Sequence, residues 1–585
     1  MIPNSPSSIQ KFAGGVKRDP WKNLFWSFAA LLLITMALLS RHYGTTWDEW
    51  MDANNGMLAL RNILTLGRDM AFMGFWHGYL YSQLFYTVVG VLFGLCFDSV
   101  WNIAHEGLHN EKLLLPFFRF SHLINALFGF WAMLYTGLFA KKLAGWRAAF
   151  LALLFIALSP RFFGSSMNNP KDIPFAATSI FALYYLAVLL GELPRVKKRT
   201  LAMTAVSLGL CIGSRLGGVV LIAYGTLFTA GILFHMSRVT SLPPRTLVQT
   251  LAASLAVLVC GIGIGFIFWP YGRTHLPAEM LRAILEIPHF EFWNNPVLFE
   301  GRVTAASDLP WYYLLKWILI STPFFFPAGL VLWAIALFKK ETSASGSVLL
   351  LAAAGFFPLF FVLVGRTVVY DSWRHLLFIY PPLVVLAALG WESLLKMSPQ
   401  RKKIALAWTV VALLCAEPFL WIARNSRYAG VYFNPAVGGL HGAFTRYESD
   451  YWGSCLEESA AWLAEHHRKN AAAFPFAWVW TEGQIMQTYP TLRRELGNYY
   501  RPFGYPENFL ATAPYTFYAF GSDLPRNLPW NYAILISRNR TKEELETRWP
   551  PPGTIHTVRA DNVPLCAVVQ NEEFYKTLAN ARTQQ

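Results

Sequence analysis

The residues able to make a chemical site fall in a few short segments. GTTWDEWMDANNG places Asp48 and Glu49 side by side, and SPRFFGSSMNNPKDIPF carries Lys171 and Asp172. GRTVVYDSWRH holds Arg366, Asp371, Arg374 and His375, and Arg215 interrupts an otherwise apolar stretch. A carboxylate can take a proton from an attacking group. A guanidinium can grip two oxygens of one anion. Together these types suit acid–base work on an anionic substrate. A different chemistry is spelled by His105, Glu106 and His109, an H-E-x-x-H that would put two imidazoles on one helix face as in zinc peptidases. Gly107 sits inside that motif, and no third ligand has a clear position. Each segment also has a plainer reading. Asp48 and Glu49 could be a solvated helix end. Asn-Asn-Pro-Lys-Asp could be a turn opening a helix, with Asp172 near its N-terminus and Pro174 in its first turn. Trp311, Tyr312 and Tyr313 read as an interfacial aromatic belt.

What must position these residues is a membrane bundle. Of 585 residues, 55% are hydrophobic and 14% charged, against roughly 25% charged in soluble domains. Apolar runs such as 147–160, 247–269 and 347–364 recur along the chain at lengths that match a bilayer's hydrocarbon core. A soluble enzyme has no interior large enough for them all. The net charge of +15 lies mostly in short loops between these runs, so it reports orientation rather than a nucleic-acid partner. The first apolar run starts near Leu24 and is followed by Arg41 and His42 rather than a small-residue cleavage site. It reads as a membrane helix.

Lys11, Lys17, Arg18 and Lys22 place the N-terminus, residues 1–23, in the cytoplasm. If 78–97 lies at the interface, Lys141, Lys142, Arg147, Arg195, Lys197, Lys198 and Arg199 all fall inside as well. The predicted spans are 24–40, 119–140, 148–163, 173–191, 200–214, 216–234, 247–269, 311–337, 347–364, 375–395 and 403–422, about eleven in all. Arg215 becomes the outer turn of a hairpin, because a lipid-facing arginine would be costly. Residues 24–422 form the membrane domain, with outer loops at 41–118 and 270–310, and 423–585 lie outside. The acidic and arginine-bearing segments then share one face at the bilayer surface. A transporter, the reading from another class, would gather charge at mid-membrane instead.

An acidic pair directly after the first helix, with an Asp in the loop after the third, resembles the GT-C glycosyltransferases. More narrowly, SPRFFGSSMNNPKDIPF, DLPWYYLLKWILISTPF, YDSWRHLLFIYPP and YAGVYFNPAVGG are similar to a bacterial branch of the protein O-mannosyltransferase and aminoarabinose transferase superfamily, over about residues 24–455. The resemblance implies sugar transfer from a polyprenyl-phosphate donor to a lipid, glycan or protein acceptor outside the bacterial cytoplasmic membrane. It places Asp48 at the family's catalytic Asp, with Glu49 and Asp172 orienting acceptor or sugar. Arg215, Arg366, Arg374 and Lys171 become candidates for the phosphate, with Asp371 and His375 beside them. No cofactor is implied with certainty, and a divalent metal ion is left open. Some relatives carry an arginine within a few residues of the acidic pair; here the first is Arg61.

From about 423 the chain turns polar. Leu456, Ala460 and Leu463 mark the apolar face of a helix, and 532–537 and 566–570 read as strands, so a small α/β unit is expected. Cys211, Cys260 and Cys415 fall in apolar runs, whereas Cys455 and Cys566 share the C-terminal region, where an oxidising compartment would let a disulfide persist.

Overall fold

The structure is a computed structural model that describes residues 19–74, 81–239, 243–275, 277–286, 294, 296–340, 345–397, 400–470, 477–497, 500–502 and 530–571. Most of 1–23, and the start of the 78–97 stretch, therefore lie outside the described residues.

The protein is a multi-pass membrane protein built on a helical bundle. α1 (Pro20–Leu39) opens at Asp19, whose carboxylate accepts from the Trp21 N–H at 3.0 Å. Pro20 in the first turn loses nothing there by lacking an N–H. After α1 the chain forms three helices that are not long apolar spans, namely α2 (Glu49–Leu64), α3 (Leu84–Phe97) and α4 (Val100–Glu106). α3 has 14 residues, too few to cross a bilayer at 1.5 Å per residue. It packs on α2, where Gly56 receives the Tyr86 side chain.

The bundle continues with α5 (Glu111–Ala144), α6 (Trp146–Ala157), α7 (Pro160–Asn168), α8 (Asp172–Glu192), α9 (Lys198–Ser214), α10 (Val220–Val239) and α11 (Pro244–Ile267). Two short helices, α12 (Pro270–Thr274) and α13 (Pro277–Glu286), lead to a hairpin of β1 (Pro296–Phe299) and β2 (Arg302–Ala305). Then come α14 (Tyr313–Ser321), α15 (Phe325–Phe338), α16 (Gly346–Gly365), α17 (Tyr380–Met397) and α18 (Arg401–Arg424).

Among the described residues, eight helices are long and apolar enough to cross a membrane, or ten if each bent pair is one span. The expected count of about eleven adds α9 to these ten. The runs at 148–163 and 311–337 are broken, α6 and α7 meeting at 69° and α14 and α15 at 109°. Pro160 and Pro323 lie at the breaks, where proline ends the helix before it. α9, at 17 residues, lies at the short end of what crosses a bilayer. α9 and α10 do meet at Arg215, whose backbone is extended. α8, at the centre, is buried on nearly every side.

The C-terminal region is a five-stranded sheet of order β4-β3-β5-β7-β6. Its strands are β3 (Ala477–Thr481), β4 (Tyr500–Pro502), β5 (Tyr532–Ile536), β6 (Thr554–Ala560) and β7 (Val563–Gln570). β3 runs parallel to β4 and β5, and β7 runs antiparallel to β5 and β6. α19 (Gly439–Ala443) precedes this unit; α20 (Leu456–Lys469), α21 (Tyr489–Leu496) and α22 (Lys542–Thr547) belong to it. As the sequence pattern predicts, Leu456, Ala460 and Leu463 of α20 are fully buried. Cys455 and Cys566 are disulfide-bonded with Cα atoms 5.8 Å apart, tying the start of α20 to β7.

This region grips the loop between α1 and α2. Glu457 accepts the Thr45 N–H at 3.0 Å and pairs with Arg119 of α5, and Gln487 donates to the Thr45 carbonyl at 2.9 Å. Glu111 at the start of α5 pairs with Arg493 of α21 at 3.0 Å.

Candidate active site

Helix direction alone brings the charged segments together. The loop after α1, the start of α8, the end of α9 and the turn before α17 lie at the same end of an alternating bundle, the end that carries the C-terminal region. Lys22, Lys141 and Trp146 mark the opposite end, with both ammonium groups within 6 Å of the indole, at 5.9 and 5.2 Å.

Asp48 occupies the N-cap of α2, yet its carboxylate caps nothing. It lies 3.7 Å from Lys171 Nζ and 3.7 Å from Arg374 Nη1. Its neighbour Glu49 takes the local work instead, accepting the Thr46 N–H at 2.7 Å and the His122 Nε2 at 2.8 Å, fully buried. Adjacent carboxylates thus part company, one open to the cluster and one closed within the packing. Asp52, one helical turn beyond Asp48, sits 3.2 Å from Lys171 Nζ, and its Oδ2 has no hydrogen-bond partner.

The Asn-Asn-Pro-Lys-Asp turn is built by Asn169. Its Oδ1 accepts from the backbone N–H groups of Lys171 and Asp172, and its Nδ2 donates to Asp172 Oδ2 at 2.9 Å. Asp172 pairs with Arg215 at 2.5 Å and lies 4.0 Å from Arg374.

Asp371 and Ser372 both have left-handed backbone, with φ of 54° and 65°, a conformation that non-glycine residues hold only under outside constraint. Three side chains supply it. The Ser372 N–H donates to the Tyr313 hydroxyl at 3.1 Å, the Trp373 indole donates to Ser321 at 2.9 Å, and Arg161 reaches the Ser372 hydroxyl at 3.5 Å. Arg161 is itself buried between Trp317 and Phe433, 5.0 Å from each ring. All four segments quoted for the family resemblance therefore converge beneath this turn. Gly164 of α7 allows the backbone at Gly430 to approach closer than a Cβ would permit. The turn presents Asp371 to Arg374, Nε to Oδ2 at 3.0 Å.

One further cation comes from the C-terminal region. Arg538, just past β5, pairs with Asp371 Oδ1 at 2.6 Å, donates to the Tyr451 carbonyl at 2.5 Å and lies 3.6 Å from Glu448. The cluster thus sets Lys171, Arg215, Arg374 and Arg538 against Asp48, Asp52, Asp172, Asp371 and Glu448. Partial burial pushes the Asp48 carboxyl up, but Lys171, Arg374, Arg538 and Arg215 outweigh it and hold the group below its usual range. For Asp52 burial wins over Lys171, and the carboxyl is pushed up to about 6. Burial raises Glu448 to about 7 against the pull of Arg538. Burial alone would lower Lys171, yet Asp52 and Asp48 hold its ammonium charge above the ordinary lysine range. A cluster of this kind, with four cations interleaved among five carboxylates of which burial raises Asp52 and Glu448, can hold an oxyanion and keep a carboxylate ionised beside it.

Other candidates stand apart. Arg366 ends α16 exposed, with φ 47°, and makes no ion pair among the described residues. His375 packs edge-on to Tyr370 at 4.7 Å, its Nδ1 without a partner. Arg61 turns away to Asp69 at 2.6 Å. The H-E-x-x-H reading needs a continuous helix, but α4 ends at Glu106, leaving His109 beyond it. His105 Nδ1 instead donates to the Trp101 carbonyl, 2.9 Å away. Among the described residues no group of three or more His, Cys, Asp or Glu is placed to hold a metal ion.

Sequence reasoning missed Asp52, Asn169, Glu448 and Arg538. Asp52 was within reach, since it follows Asp48 by four positions on a helix.

No protein-family model matches the chain, and no curated protein matches its sequence. Among solved structures, ArnT from Cupriavidus metallidurans bound to undecaprenyl phosphate is similar at 11% identity, over 94% of this chain and 97% of that one, with a TM-score of 0.44. The apo form of the same protein is similar at 12% identity, over 81% of this chain and 84% of that one, with a TM-score of 0.42.

Proposed function

We propose that the protein is a polyprenyl-phosphate-dependent glycosyltransferase working at the outer face of the cytoplasmic membrane. The observation that carries this reading is Asp48, held at 3.7 Å from both Lys171 and Arg374 at one end of the bundle. Residues 1–23 are cytoplasmic, 24–422 form the catalytic membrane domain, and 423–585 are extracytoplasmic. The Cys455–Cys566 disulfide suits that placement.

The reaction is an inverting displacement. The acceptor hydroxyl attacks the anomeric carbon opposite the phosphate, forming the new C–O bond as the bond to the phosphate oxygen breaks. Asp48 takes the hydroxyl proton. Lys171, Arg215 and Arg374 hold the departing lipid phosphate, whose charge grows through the transition state. The same cations depress the Asp48 carboxyl in the resting site. A donor phosphate that draws Lys171 and Arg374 to itself raises the basicity of Asp48 at the moment it is needed. Asp172 keeps Arg215 and Arg374 aimed, and Glu49 holds the loop rather than the substrate.

Purified full-length protein, supplied with a panel of hexosyl and pentosyl polyprenyl phosphates and mixed acceptors, should release lipid phosphate. A panel that yields no release and no labelled product would overturn the assignment.

A further inference from the structure

Resting on the glycosyltransferase reading, we propose that Arg538 is a positioning residue that aims Arg374 through Asp371, so that the C-terminal region sets the geometry of a cation in the membrane bundle. The Asp371 carboxylate is divided between two arginines, Oδ2 taking Arg374 Nε at 3.0 Å and Oδ1 taking Arg538 Nη2 at 2.6 Å. With its Nε committed, Arg374 turns Nη1 toward Asp48 and Asp172 and lays its guanidinium over Trp452 at 4.9 Å. The Asp371 backbone is left-handed, so the carboxylate stays aimed only while partners on both sides hold it.

Arg538 is itself fixed. Ile536 is in register with Cys566, the Ser537 N–H donates to the Leu565 carbonyl at 2.8 Å, and Cys566 is bonded to Cys455. Its guanidinium also faces Trp47 at 5.5 Å, one residue before Asp48. Docking of the region does not hang on this side chain, because Glu457 and Gln487 bind Thr45 independently. Arg540, two residues on, pairs with Glu482 inside the C-terminal region at 2.6 Å and serves as a control.

The test is a double-mutant cycle on the full-length protein, with kcat and KM measured for the lipid donor. Arg538→Ala and Asp371→Asn should each lower kcat/KM about tenfold or more, and the double variant should be no worse than the weaker single, as expected for residues acting through one contact. Arg538→Lys, which keeps the charge and loses the fork, should recover part of the loss, and Arg540→Ala should leave kcat/KM unchanged. If Arg538→Ala fails to fold, Arg538→Lys carries the same cycle. Wild-type kcat/KM in Arg538→Ala, or losses that multiply in the double variant, would overturn the proposal. The wild type is assayed first. An inactive wild type overturns the glycosyltransferase reading and this one with it, whereas an active wild type with multiplying losses overturns this one alone.

Discussion

Two carboxylates at opposite ends of the bundle, Glu392 and Asp48, meet their cations in opposite ways. At the end away from the C-terminal region, Glu392 of α17 takes Arg147 of α6 through both oxygens, at 2.7 and 3.0 Å, with Lys396 at 3.3 Å. That carboxylate is closed, and the pair locks two helices. At the other end Asp48 stands 3.7 Å from each of two cations, beyond a good hydrogen bond. Its charge is balanced in sum without being bound to any one partner. Short bidentate pairs build the scaffold. Longer, shared pairs leave cations that an incoming anion can recruit.

Substitutions should separate the two ends. The largest effect is expected for Asp48→Asn, which keeps size but removes the basic lone pair. Turnover should fall by about 10²–10⁴ with unfolding temperature unchanged; single-turnover transfer beside donor binding measures this. Wild-type turnover would remove the base assignment. Glu392→Gln should do the reverse, lowering stability by roughly 3 kcal/mol, as when one partner of a buried pair is removed. Turnover at low temperature should be kept, so a turnover loss without a stability loss would break the comparison.

Asp52 sharpens it by pH. Its carboxyl is raised from 3.8 to about 6, so the folded state binds the proton more tightly than the unfolded chain. Ionisation of Asp52 therefore subtracts stability from the wild type as pH rises from about 4 through about 6, a contribution that Asp52→Asn lacks. The variant should be the more stable above pH 6, by about 1–3 kcal/mol, with the gap closing toward pH 4. Thermal unfolding at a series of pH values reads this, and a gap that stays constant with pH would refute it. Smallest should be Glu49→Gln together with His105→Ala. The first costs about 1 kcal/mol of stability, because an amide still accepts from Thr46. The second leaves transfer intact, and a metal-dependent loss of activity in it would revive the metal reading.

How far the sequence carried these conclusions depended on the distance between the residues concerned. Apolar runs and basic loops marked the helices because bilayer thickness constrains every span locally. Alternation of those spans was enough to gather Asp48, Asp172, Arg215 and Arg374 at one end. The breaks at Pro160 and Pro323 were visible as prolines, but their angles depend on packing. The parting of Asp48 from Glu49 was not legible, since it is decided by His122, 73 positions away. Arg538 carried no local sign either. It is an ordinary arginine after a strand, and its meaning comes from Asp371, 167 positions earlier.

The hold of the C-terminal region on Thr45 spans 442 residues, from Gln487 back to the first loop. Synthesis is vectorial, and domains generally fold as they emerge. The bundle's helices are therefore made while the strand that delivers Arg538 has yet to be translated. Until it arrives, Asp371 lacks the Arg538 contact on one of its two carboxylate oxygens. If Arg538 acts as proposed, maturation is ordered in time, with insertion first and competence last. A chain stopped before residue 530 should still enter the membrane while remaining unable to turn over donor.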